Sequence, residues 1–129
     1  MSRQFAKIMS QMVVARVSSS SYSLWQPPVD LYESDSELIA FMETAGIDAA
    51  RIRVVVEPEM LIIRGERKCP ATDILTVHQL EIEYGCFARQ MPLPKAVDPK
   101  KVTSAYHQGF LVVHMPLRRI QNTVEVFVK

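Results

Sequence analysis

The hydrophobic positions change period along the chain. Phe5, Ile8, Met9, Met12 and Val13 recur at i, i+3, i+4, i+7 and i+8, which predicts one stripe of an amphipathic helix within residues 1–24. Gln4, Lys7, Gln11 and Ser18 take other faces, and the serines at 18–21 break the pattern as a polar linker. From Val29 to Pro116 the period drops to two. Val29 to Glu33 and Glu37 to Thr44 read as strands separated by the turn-rich Ser34-Asp35-Ser36. Arg51 to Glu57 follows, with Ile52, Val54 and Val56 on one face, and Pro58-Glu59 turns into Met60 to Arg64, where Leu61 and Ile63 face inward. A longer connection, Lys68 to Glu83, contains a strand-like Ile74 to His78. Cys86 to Met91 and Val102 to Met115 complete the set, the latter folding at Gln108-Gly109. Successive short antiparallel hairpins predict an all-β, immunoglobulin-like sandwich.

Two strand segments are each interrupted by a single glycine, Gly85 in Glu81-Ile82-Glu83-Tyr84-Gly85-Cys86-Phe87-Ala88-Arg89 and Gly109 in Ala105-Tyr106-His107-Gln108-Gly109-Phe110-Leu111. Such a glycine marks a bulge or tight hairpin, so the distinctive residues serve backbone geometry. At the C-terminus Leu117 to Thr123 is mostly polar or basic. Val124, Val126 and Val128 then alternate with Glu125, Phe127 and Lys129, which puts three valines on one side of an extended segment.

Composition narrows the function. With 15 basic and 14 acidic residues the formal net charge is +1, which gives no global electrostatic case for nucleic acid. No apolar run approaches the roughly 20 residues of a membrane span. Cys69 and Cys86 form neither a CxxC pair nor a metal spacing and read as free thiols in a reducing cytoplasm, with a redox disulfide open only if the fold or a dimer joins them. His78, His107 and His114 lack companion ligands at metal spacing, no phosphate-cradling glycine loop is present, and the serines cluster in the N-terminal linker, away from any histidine that could activate them. The reading is no catalytic residue, no cofactor and no metal. Residues 1–29 hold no Asp or Glu but include Arg3, Lys7 and Arg16, as organelle transit peptides do. Gln11 and Arg16 interrupt any secretory core segment.

Four stretches in order resemble the small heat shock proteins of the α-crystallin family: Trp25-Gln26-Pro27-Pro28-Val29-Asp30-Leu31-Tyr32-Glu33, Leu61-Ile62-Ile63-Arg64-Gly65-Glu66-Arg67, Tyr84-Gly85-Cys86-Phe87-Ala88-Arg89 running into Leu93-Pro94, and Ala105 through Gly109 and Leu111 to Pro116. The chain departs from the family in having Ala45-Gly46 where Pro-Gly is usual and Phe110 where Val is usual. The resemblance implies a dimer that builds larger homo-oligomers. The 68–83 connection, with Ile74 and Val77, would cross to a partner's sheet, and Arg89 would steady the dimer interface. The family's Ile-x-Ile-like tail lies in a groove of a neighbouring subunit. Here Val126 and Val128 would be the tail anchor, with Val124 and Val126 as the other register, and Val54, Val56 and Ala105 would line the groove.

Three regions are therefore expected: an N-terminal arm at 1–24, an α-crystallin domain at 25–116 and a C-terminal extension at 117–129. The implied function is an ATP-independent holdase, cytoplasmic, whose partners are itself and partly unfolded clients met by Phe5, Ile8, Met9, Met12 and Val13. Organelle targeting by the arm stays open as a second reading of that segment. A scaffold sandwich that recognises specific folded partners is the alternative function, and an enzyme ranks behind both.

Overall fold

The structure, a computed structural model, describes residues 25–119 and 126–128. The stripe from Phe5 to Val13 and the valine at 124 lie outside the described residues. Among the described residues seven strands form in chain order: β1 (Val29–Glu33), β2 (Glu37–Glu43), β3 (Arg53–Glu57), β4 (Met60–Arg67), β5 (Gly85–Pro92), β6 (Thr103–His107) and β7 (Phe110–Pro116). They make a four-stranded sheet ordered β1-β2-β7-β6 and a three-stranded sheet ordered β3-β4-β5, antiparallel throughout. The all-β sandwich read from the alternation is the fold observed.

Alternation fixes what each sheet buries. Leu38, Ala40 and Met42 of β2 and Leu111, Val113 and Met115 of β7 turn inward onto Leu61, Ile63 and Phe87 of the other sheet. Ile47, Leu93 and Val97 close the core from the connections. The turns are those that the sequence chemistry calls for. Ser34 Oγ accepts from the Glu37 amide at 3.2 Å between β1 and β2. Gln108 (φ 49°) and Gly109 (φ 84°) both sit in the left-handed region, the two-residue turn whose twist matches its flanking strands.

Strand boundaries moved where local caps intervene. The predicted strand from Arg51 opens instead with a 3-10 turn, Ala49–Arg51, because the Asp48 carboxylate accepts from the Ala50 amide at 3.0 Å. β4 runs on to Arg67, past the expected Arg64, because Gly65 leaves room for the Phe87 ring: a Cβ there would stand 2.5 Å from Phe87 Cζ. The expected strand Ile74 to His78 is not formed; the chain from 68 to 84 is irregular. A strand exists by pairing, and no strand among the described residues pairs with this segment to complete a ladder.

Candidate oligomerisation surfaces

The connection between β4 and β5 is anchored at its base by one side chain. Arg67 Nε and Nη2 donate to the Glu83 carbonyl oxygen at 2.9 and 2.6 Å, and Nη1 donates to the Ala45 carbonyl at 3.3 Å. The same guanidinium lies 4.3 Å from the centre of the Trp25 ring and 5.7 Å from that of Tyr84. Trp25 is fixed in turn by donating Nε1–H to the Gly85 carbonyl at 3.0 Å and by an edge-on contact with Phe87, centroids 5.4 Å apart. Both ends of the loop are thus pinned to the sandwich, and its apex projects. Leu75 is 94% exposed and Ile82 61%, while Ile74, Val77 and Leu80 are half-buried around a hollow of ≈ 410 Å³ that Cys69 also lines.

β5 is the outer edge of its sheet, and Arg89 sits on it opposite Ile63. Ile63 is fully buried, so Arg89 lies on the inward face of β5 in line with Phe87 and Met91. It is half-buried and makes no hydrogen bond or ion pair among the described residues. Its guanidinium therefore keeps contact with solvent, because no buried side-chain nitrogen or oxygen among the described residues lacks a hydrogen-bond partner.

At the opposite edge, β3 and β6 are the free strands of the two sheets. Val54 and Val56 pair with Ile63 and Leu61, face inward and are half-buried against the core. Ala105 pairs with Val112, on the face of β7 opposite to the buried Leu111 and Val113. Ala105 therefore turns to the outer face of its sheet, and the β6 residues that share the inward face are Ser104 and Tyr106. Tyr106 donates its hydroxyl to the Thr44 carbonyl at 3.3 Å, closing that end of the edge. Counting parity back from the two-residue turn at Gln108-Gly109 would have found this pair, because His107 must oppose Phe110.

The chain leaving β7 is held as far as Arg118, whose amide donates to the Ala96 carbonyl at 2.9 Å, as Leu117 does to Ser36 at 2.9 Å. Beyond it, Val126 and Val128 are 78% and 98% exposed, with Phe127 at 80%.

Among the described residues no three His, Cys, Asp or Glu side chains are grouped to hold a metal ion. Cys69 and Cys86 are free thiols. His114 Nδ1 lies 3.1 Å from Glu37 Oε1 and Lys95 pairs with Glu33 at 2.6 Å, both at the surface, where such pairs contribute little. A polar hollow of ≈ 670 Å³ between Glu37, Asp98, Lys101 and Arg118 mixes both charge signs. No helix among the described residues is long and apolar enough to cross a membrane.

Residues 30–126 match the Hsp20/alpha crystallin family. The chain belongs to that family. An 18 kDa antigen 1 of Mycobacterium intracellulare is 28% identical over 92 residues, 70% of this chain and 60% of that one. The small heat shock protein C4 of Rickettsia felis is 29% identical over 92 residues, 70% of this chain and 56% of that protein. The chain thus spans about six tenths of the length of these curated relatives. Among solved structures, hspA of Xanthomonas axonopodis superposes with a TM-score of 0.67 at 33% identity, covering 74% of this chain and 97% of that one. A small heat-shock protein of Xylella fastidiosa, described as having a distinct high order structure, gives 0.70 at 29% identity, covering 83% and 99%. The sandwich is the α-crystallin β-sandwich of these small heat shock proteins.

Proposed function

We propose that the protein is an ATP-independent holdase that assembles from dimers into larger homo-oligomers and keeps partly unfolded proteins from aggregating. The observation that supports the reading is that the open edges of the sandwich carry incompletely buried groups, Val54 and Val56 at one and Arg89 at the other, while Leu75, Val126 and Val128 are exposed to solvent. Val54 and Val56 form the floor of the β3–β6 edge, with Ser104 as its wall, and the Val126–Val128 tail is the segment that fits it. Residues 119–125 span up to about 23 Å when extended, enough to carry the tail to a neighbouring copy.

Docking is β-strand addition, with the backbone giving attachment and the valine pockets giving register. Burial of two valines is worth roughly 3–5 kcal/mol before the tail is ordered, so one tail binds reversibly. Many tails acting together hold an assembly that still exchanges subunits. Ile74 and Val77 cross to the partner's β5 edge, where Arg89 takes acceptors from the crossing segment. Vacated grooves and the Phe5 to Val13 stripe then offer apolar surface to clients, and binding them lowers the free concentration of aggregation-prone species without an energy source. The site is cytoplasmic in this reading.

The test is light scattering from a heat-denatured client with increasing amounts of the protein. Suppression near stoichiometric amounts, unchanged by ATP, is the expected result. Undiminished aggregation at excess protein, or a strict need for ATP, would overturn the function.

A further inference from the structure

Each outer face of the sandwich sets two like charges side by side. On the three-stranded sheet Val54, Val56 and Ile63 point to the core, so Arg53 and Arg64 point to solvent, and the register places them directly opposite each other. Both are exposed, and neither guanidinium makes a hydrogen bond or ion pair among the described residues. Like charges about 5 Å apart across a ladder repel. Glu57 and Glu66 share this face, yet neither forms an ion pair with Arg53 or Arg64. On the four-stranded sheet Asp30 of β1 opposes Phe41, and Glu43 lies two positions along β2 from Phe41. The two carboxylates are thus diagonal neighbours on the outer face, about 7–8 Å apart. Asp30 accepts from the Tyr32 hydroxyl at 3.1 Å, and the Glu43 side chain has no partner among the described residues. Glu37, further along the same face, is already paired with His114.

Apolar surface adjoins both charged pairs. Phe41 meets Tyr32 edge-on at 5.8 Å and lies beside Val112. Val55 and Ile62 form the rung next to the arginines, and Ala88 ends the arginine rung itself. Tyr32 is 54% exposed and Val55 49%. The two patches suit each other: small aliphatic side chains keep the arginine face low, and a planar guanidinium both pairs with carboxylates and stacks on aromatic rings. Within one copy they cannot meet. The sheets stack about 10 Å apart with these side chains pointing away from each other, so only a second copy brings the acids to the arginines.

We propose that the two outer faces are the halves of one contact between copies of this chain, Arg53 and Arg64 of one copy meeting Asp30 and Glu43 of the next while Val55 and Ile62 cover Tyr32 and Phe41. The contact is head-to-tail, so it repeats along a stack or closes into a ring. Four strands about 5 Å apart and five residues long give roughly 300 Å² of sheet a side, well under the roughly 800 Å² per partner of an interface that stands alone. It therefore acts where the edges have already gathered copies, and it rests on the assembly proposed above for that local concentration.

The experiment uses the full chain with Arg53→Lys and Arg64→Lys, which keep the charge and supply amines, and a carbodiimide that joins an amine to a carboxylate in contact with it. Links are mapped by mass spectrometry, and native mass is read on the same sample. Expected are links from positions 53 and 64 to Asp30 and Glu43, with a several-fold lower yield when Val55→Glu is added and the far-ultraviolet spectrum shows the sandwich still folded. A multimer in which these amines link to Asp30 and Glu43 no more than to other acids, or a yield that Val55→Glu leaves unaltered, overturns the face contact and leaves the edge assembly standing. A monomer overturns the edge assembly instead; links that form in it at high concentration uphold the face contact, and their absence there overturns it.

Discussion

The Arg67 guanidinium lies over the Trp25 ring at 4.3 Å, so a residue at the end of β4 holds the segment that leads into β1. The same group grips the returning end of the 68–84 loop through the Glu83 carbonyl. One side chain therefore sets where the loop leaves and rejoins the sandwich, which makes the loop's direction a property of the core.

Replacing Arg67 by Met removes the contacts of the cation with the Trp25 and Tyr84 rings and three hydrogen bonds. The expected loss is about 1–3 kcal/mol of stability, since the two carbonyls regain water in part. Arg67→Lys recovers only a fraction, because an ammonium lacks the planar fork that serves Glu83 and Ala45 together. Trp25 is the sole tryptophan, so urea unfolding followed by its fluorescence reads both stability and local environment. Unchanged midpoint and emission in Arg67→Met would contradict the anchoring role.

Gly65→Ala should destabilise the fold by about 2 kcal/mol, because the new methyl overlaps the buried Phe87 ring and meets the Arg51 carbonyl. Trimming the ring relieves the overlap. The double variant Gly65→Ala with Phe87→Leu should be more stable than the sum of the single effects, and strict additivity in thermal unfolding would show that the ring is not the obstacle.

Both sheets were legible in the sequence because each strand buries one face inside its own chain, which leaves alternating apolar positions such as Leu38, Ala40 and Met42. The Gln108-Gly109 turn was legible because a two-residue hairpin needs left-handed backbone. Ile74 to His78 was read as strand-like from its composition, yet it pairs with no strand among the described residues, and composition does not reveal that. Ala105 was placed on the groove by resemblance, whereas its parity with Val112 sends it outward. The Arg67 anchor joins Trp25, Ala45 and Glu83, positions far apart in sequence that carry no shared pattern.

Val126→Ala with Val128→Ala should shift assemblies toward dimers while the sandwich stays folded. Each tail loses about 2 kcal/mol of burial, multiplied over many tails, and no core residue is touched. Size-exclusion chromatography with light scattering checks this; a double variant of wild-type mass would exclude the tail as an anchor.

Deleting residues 1–20 should leave the far-ultraviolet β spectrum and a dimer intact while lowering client protection, because the adaptable methionine-rich stripe is removed. Protection equal to that of the full chain would place the client surface on the sandwich, near Val54 and Val56.

The central claim is that the open edges of this sandwich are completed by other copies of the chain. Native mass measurement of the intact protein addresses it most directly. The account predicts a multimer built from an even number of chains that falls to dimers on dilution or loss of the tail valines. A monomer at every concentration, with client protection retained, would contradict it.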